Sequence, residues 1–207
     1  MAYPNEFPPL SRHLLTRIRF DTVFHMSTVL QGPERAAVIH DRHAFNQAVW
    51  DKLAADPELA KLPWRIETDE HGQIIMSPPP APSHGNLQSE VARLLGNWNP
   101  GGKVITECPI STRKGVKAAD IAWCSAEIWA KAESESCFRQ APEICVEVLS
   151  PSNTDAEIEE KKSLYFEEGA QEVWLVSEGG EVSFFERDLA IDPKPFSAIC
   201  SNFPSKL

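Results

Sequence analysis

The chain has 207 residues, 42% of them hydrophobic, and a formal net charge of −10. That is enough apolar material for one domain with a real core. Its acidity argues against a protein that coats nucleic acid by bulk electrostatics, though not against an enzyme that meets phosphate through a cation. No stretch approaches the roughly 20 apolar residues of a membrane span. The first 25 residues lack a signal peptide's apolar block, and the five cysteines show no Cys-x-x-Cys spacing for zinc, so a reduced chain in the cytoplasm is expected.

Residues 1–37 read as a weakly structured arm broken by Pro4, Pro8, Pro9 and Pro33. Met26 within it opens like a translation start, so a chain begun there is expected to fold. Phe45, Val49 and Leu53 recur every four residues and predict a helix from His40 to Asp56, ended by Pro57 and Pro63. Trp64–Thr68 and Gln73–Met76 read as a hairpin around Asp69-Glu70-His71-Gly72. A stiff link, Ser77 to Pro82, leads to Ser83, the expected N-cap of a helix running to Leu95 with Gly96 at its end. Lys103–Glu107 reads as a strand and Ser111–Lys117 as a solvated turn or hairpin tip. Two apolar runs follow, Ala118–Trp123 and Ile144–Leu149, separated by a crossover that includes Ile128 and Trp129. Thr154 and Glu157 form a capping box for a helix passing Tyr165 to Gly169. Glu172–Ser177 and Glu181–Glu186 then pair around Gly179-Gly180, and a Pro-containing tail ends the chain. The sum is a mixed α/β sheet covered by helices, over residues 38–190, with a tail at 191–207.

Each of the two apolar runs contains one carboxylate, Asp120 or Glu147. An ionised acid in a strand that is apolar on both faces costs several kcal/mol, on the order of the buried-charge penalty, unless a cation or donors compensate it. Strand alternation puts Asp120 with Ala118 and Ala122, and Glu147 with Cys145 and Leu149. If the strands are neighbours, the two acids converge over small side chains. Such hard oxygen ligands suit Mg²⁺ or Mn²⁺, with the Val148 carbonyl completing the protein's share. Two acids crowded together repel, so removing either is expected to leave the metal-free fold no less stable. The plainer alternatives are pairing of Asp120 with Lys117 or Arg113, and a buried ion pair at Glu147.

Three segments in order, Pro142-Glu-Ile-Cys-Val-Glu-Val-Leu-Ser-Pro-Ser152, Lys161-x-x-x-Tyr165 and Gly169-Ala-Gln-Glu-Val-Trp-Leu-Val176, closely resemble the Uma family of restriction endonucleases, within the PD-(D/E)XK nuclease superfamily. The likeness covers about residues 40–187. It implies a restriction-endonuclease-like fold and Mg²⁺-dependent phosphodiester hydrolysis, with Asp120 and Glu147 as the two acids. The superfamily's Pro-Asp is Ala119-Asp120 here, and the lysine expected two residues after Glu147 is Leu149. The resemblance moves that lysine into the following helix. There Lys161 and Lys162 both flank the apolar side formed by Ile158, Leu164, Tyr165 and Phe166, and periodicity does not choose between them; the family position is that of Lys161.

Three further residues are secondary candidates. Glu67 is a family-matched acid that could equally pair within its hairpin. His84 sits in the first turn of its helix, where a capping or surface role is the plainer one. Glu90 borders the Leu87–Val91–Leu94 face as a further ligand or a helix-edge acid. Arg113, Lys114 and Lys117 form the dense basic cluster nearest these acids, either a phosphate-backbone contact or a solvated tip. The first reading is a metal-dependent endonuclease acting on nucleic acid, with DNA the first choice and a homodimer suited to duplex cleavage. The alternative is a catalytically inactive nuclease fold serving as a binding or assembly module.

Overall fold

The computed structural model describes residues 26–28, 41–187 and 192–207. Of the expected N-terminal arm, Met26–Thr28 forms a strand (β1); the rest lies outside the described residues. Helix α1 (Arg42–Ala54) follows, then a hairpin of β2 (Arg65–Thr68) and β3 (Ile74–Ser77), to which β1 adds antiparallel on β3. After α2 (Pro82–Trp98) comes the main sheet, β4 (Gly102–Thr112), β5 (Gly115–Ser125), β6 (Ile144–Val148), β7 (Glu172–Val176) and β8 (Val182–Glu186). Its strands lie in that order, antiparallel except for β6 against β7. Helix α3 (Ala126–Ala132) joins β5 to β6, and α4 (Asp155–Glu167) makes the crossover that parallel strands require. Among the described residues no helix is long and apolar enough to cross a membrane.

Strand alternation divides the core between the two faces of the main sheet. Ala122, Cys124 and Cys145 pack with Tyr165 and Phe166 of α4 and Ile128 of α3 on one face. Ile121, Trp123, Ile144 and Val146 pack with Val91 and Leu95 of α2 on the other. All five residues of β6 are buried, as its double-sided apolar sequence requires. The five cysteines are buried free thiols.

Several elements differ from the sequence reading. Helix α1 buries Asn46 and Gln47 rather than its apolar positions, because it lies on the polar end of a hairpin. The Asn46 amide donates to Ser111 Oγ and to the Thr112 carbonyl at 2.9 and 2.8 Å. Helix α2 starts at Pro82, whose fixed φ suits the first helical position, so Ser83 falls inside the first turn; the helix then continues through Gly96. Ser111–Lys117 is the hairpin tip of the two alternatives, and most of it is not solvated. Only Arg113 and Lys114 form the tip, while Ser111 and Thr112 are buried against α1, and Val116 and Lys117 against β2. Gly115, at φ 90°, is a glycine because a Cβ there would collide with the Thr68 and Asp69 carbonyls.

Residues 192–207, read as a tail, are part of the fold. Phe203 stacks on Trp174 at 4.6 Å, and Cys200 and Ser197 are buried. The buried Glu172 carboxylate accepts bonds from Ser197 Oγ (2.6 Å), Ala198 N (2.7 Å), Ile199 N (3.1 Å) and Trp174 Nε1 (2.7 Å). Those four donors satisfy the charge without a cation and pin the segment to β7. The sequence offered no apolar periodicity here, since the segment packs as irregular backbone.

Candidate functional site

The β5–β6 ladder ends at Ile121 opposite Val146. One residue further along, Asp120 Oδ2 accepts the Val148 amide proton at 2.7 Å, a side chain standing where a ladder bond would be. On the opposite side the β4–β5 register runs through every pair except Glu107 with Asp120. Glu107 there adopts φ 51°, and the Asp120 carbonyl accepts from Gln88 Nε2 of α2 at 2.9 Å instead. The strands thus open at the acid, and Asp120 and Glu147 come from adjacent strands at the opening. Both are buried, at 1% and 4% exposure.

The β2 strand supplies the roof. Ala118 N donates to Glu67 Oε1 at 3.1 Å and Val116 N to Thr68 Oγ1 at 2.8 Å, which docks the hairpin on β5. Strand period 2 then places Arg65 on the same side as Glu67. Arg65 Nη1 donates to Asp120 Oδ1 at 2.6 Å, Nη2 to the Ala118 carbonyl, and Nε lies 3.1 Å from Glu107 Oε2. From α4, Lys161 Nζ reaches Glu67 Oε1 at 2.9 Å, Glu147 Oε2 at 3.3 Å and the Ala118 carbonyl at 3.4 Å. One helical turn on, the buried Tyr165 hydroxyl donates to Glu147 Oε1 at 2.6 Å. From α2, His84 Nε2 faces Asp120 Oδ2 at 3.4 Å, and its Nδ1 is buried with no hydrogen-bond partner among the described residues.

The two acids differ in electrostatic character. Burial pushes the Glu147 carboxyl up to about 7, with Asp120 adding to the shift against the pull of Lys161 and Arg65. Burial would raise Asp120 as well, but His84, Arg65 and the Val148 amide hold it below its ordinary value. Glu67 likewise stays low against its burial because of Lys161, Arg65 and Lys117. Lys161 resists the opposite effect of burial and is raised by Glu147 and Glu67. His84 is raised by its contact with Asp120. Arg65, Lys161 and Lys117 thus face Asp120, Glu147, Glu67 and Glu107, one fixed cation short.

The structure brings together Asp120, Glu147, Lys161, Glu67, His84 and Val148, the last through its amide. It does not bring Glu90, which is paired with Arg93 at 3.0 Å on the outer side of α2. Arg113 is engaged by Glu167 at 2.7 Å and Lys114 by Glu160, both on α4. Lys117 is buried beside Glu67, its ammonium on the Thr68 carbonyl at 2.9 Å. Lys162 points away to Glu159 and lies over the Phe185 ring at 4.1 Å. Arg65, Glu107 and Gln88 were not singled out in the sequence, and Tyr165 was quoted only as a motif and apolar-face residue. Arg65 lies two residues from Glu67 and Tyr165 four from Lys161, spacings that place each beside a candidate on its own element.

Among the described residues no group of three or more His, Cys, Asp or Glu could hold a metal ion, which argues against an all-protein cage. Mg²⁺ does not need one: it keeps several waters and takes one or two carboxylates. The donor chemistry of Asp120 and Glu147, two buried carboxylates from adjacent strands, fits that pattern.

A solved structure from Anabaena variabilis ATCC 29413, titled as a nuclease of the DUF820 family, superposes with a TM-score of 0.60 at 18% identity. The match covers 76% of this chain and 93% of that one, and establishes the shared fold. No curated protein matches the chain. Over residues 56–194 the chain matches the model of the Uma2 family, described as "Putative restriction endonuclease", and it belongs to that family.

Proposed function

We propose that the chain is a metal-dependent endonuclease that hydrolyses phosphodiester bonds, with Mg²⁺ or Mn²⁺ held by Asp120, Glu147 and the Val148 carbonyl. The observation that carries this reading is the meeting of Asp120, Glu147 and Lys161 where β5 and β6 part. A divalent cation bound there acidifies water and stabilises charge on the phosphate. Tyr165 holds Glu147 in one orientation through Oε1, and Oε2 lies 3.3 Å from Lys161 Nζ. Lys161 is anchored by Glu67, so its ammonium keeps its place and can donate to a phosphate oxygen or orient the attacking water. His84, with a free Nδ1, supports Asp120 from the helix side. DNA is the proposed substrate, and two copies acting together suit duplex cleavage. Incubation of the pure protein with single- and double-stranded DNA and RNA, with Mn²⁺ or with chelator, tests the reading. Metal-dependent fragments are expected; intact nucleic acid in every arm counts against it.

The inactive binding or assembly module is favoured by one observation, that both acids already have protein cations beside them. It predicts that wild type binds no divalent ion.

A further inference from the structure

On the reading above Asp120 must hold a divalent cation, yet its Oδ1 is already taken by Arg65 Nη1 at 2.6 Å. A guanidinium and a divalent ion on one carboxylate sit only about 4 Å apart and repel strongly in so dry a site. Two observations indicate which group yields, and to where. Arg65 is not fully satisfied in its present seat: its Nε is buried and lacks a hydrogen-bond partner among the described residues, because Glu107 Oε2, 3.1 Å away, lies out of line. Glu107 is also built to receive it. Its side chain is 45% exposed and its residue is absent from the strand ladder; Oε1 accepts from Gln88 Nε2 at 2.9 Å, which leaves Oε2, already nearest Arg65, to take the guanidinium. Lys161 has no such conflict, since it already leans on Glu67 more closely than on Glu147.

Resting on the metal-site reading, we propose that Arg65 is a metal-displaced latch. It neutralises Asp120 when no divalent cation is present. Entry of the cation moves the guanidinium from Asp120 to Glu107, where its free N–H groups face an incoming phosphate. The same side chain thereby guards the apo site and, once loaded, positions the anionic substrate. Arg65 is a positioning residue here, and its movement is coupled to metal binding rather than to chemistry.

The test is made without nucleic acid. Modification of wild type by phenylglyoxal, mapped by mass spectrometry, should rise several-fold at Arg65 when Mn²⁺ is added. Calorimetric titration should show Arg65→Met binding Mn²⁺ at least tenfold more tightly than wild type, and Glu107→Gln more weakly. Arg65→Gln, which keeps donors for Asp120 and Ala118, replaces the Met variant if that one does not fold. Reactivity of Arg65 that is unchanged or lowered by Mn²⁺, or variants that bind no more tightly, overturns the latch while leaving the metal site standing. Absence of Mn²⁺ binding in wild type and in the Arg65 variants overturns both.

Discussion

Replacing Glu147 by Gln should stabilise the metal-free protein at neutral and alkaline pH. The carboxyl is held near 7 in the fold, against 4.5 as its ordinary value. A folded-state value above the unfolded one means that the contribution is fully favourable below pH 4.5 and is lost as pH rises through 7. At about 1.4 kcal/mol per unit, the loss approaches about 3 kcal/mol. Glutamine has the shape of the acid, still accepts from Tyr165, and has no charge to desolvate; Lys161 keeps Glu67 at 2.9 Å. The variant should therefore match wild type at pH 4.5 and exceed it at pH 8 by up to about 3 kcal/mol, or about 6–12 °C in Tm for a chain of this size. Urea or thermal melts with chelator across pH 4.5–8.5 provide the data. The difference between the two curves isolates Glu147 from Glu168, which burial also raises to about 7. A variant that parallels wild type at every pH, or is weaker at pH 8, would refute the cost assigned to burying the charged form of Glu147.

The other predictions follow the same geometry. Asp120→Asn should lose about 2–3 kcal/mol without metal, since it breaks a largely buried ion pair with Arg65. Because Asp120 is held below 3.8, its contribution persists above that pH and disappears as pH falls through the folded value, which acid melts of wild type and variant will show. Lys161→Met should lower turnover roughly 10²-fold or more with metal affinity nearly kept, as steady-state kinetics and calorimetry can separate. Lys162→Met should keep turnover and lose about 1 kcal/mol from its contact with Phe185, measured by thermal melting. Phe203→Ala should cost about 3–5 kcal/mol in a urea melt, because the C-terminal segment closes the core over Trp174.

The sequence made the sheet legible wherever local chemistry and tertiary packing agree. The apolar runs around Asp120 and Glu147 became adjacent central strands, and the Thr154–Glu157 capping box opens α4 as written. It was silent where packing is polar or irregular. Helix α1 was legible as a helix from Phe45, Val49 and Leu53, but not its docking through Asn46; the C-terminal segment is held through backbone amides around Glu172 and leaves no hydrophobic period. At the site, the two acids were visible as charges placed in apolar runs, and Lys161 only through the family resemblance, since periodicity did not separate it from Lys162. Arg65 was not, because an arginine on a short, half-buried strand is ordinary until the fold sets it against Asp120. That contact also bears on the expectation that either acid is dispensable without metal: Asp120 is held by Arg65, whereas burial is what raises Glu147, with Asp120 adding to the shift against Lys161.

Calorimetric titration of Mn²⁺ into wild type, Asp120→Asn and Glu147→Gln, under one buffer and pH, tests the central claim most directly. The account predicts saturable binding to wild type and loss of at least tenfold in affinity in each variant, with all three proteins folded by circular dichroism. Equal binding by the three, or no binding by wild type and by Arg65→Met alike, would contradict a divalent-metal site at the carboxylate pair.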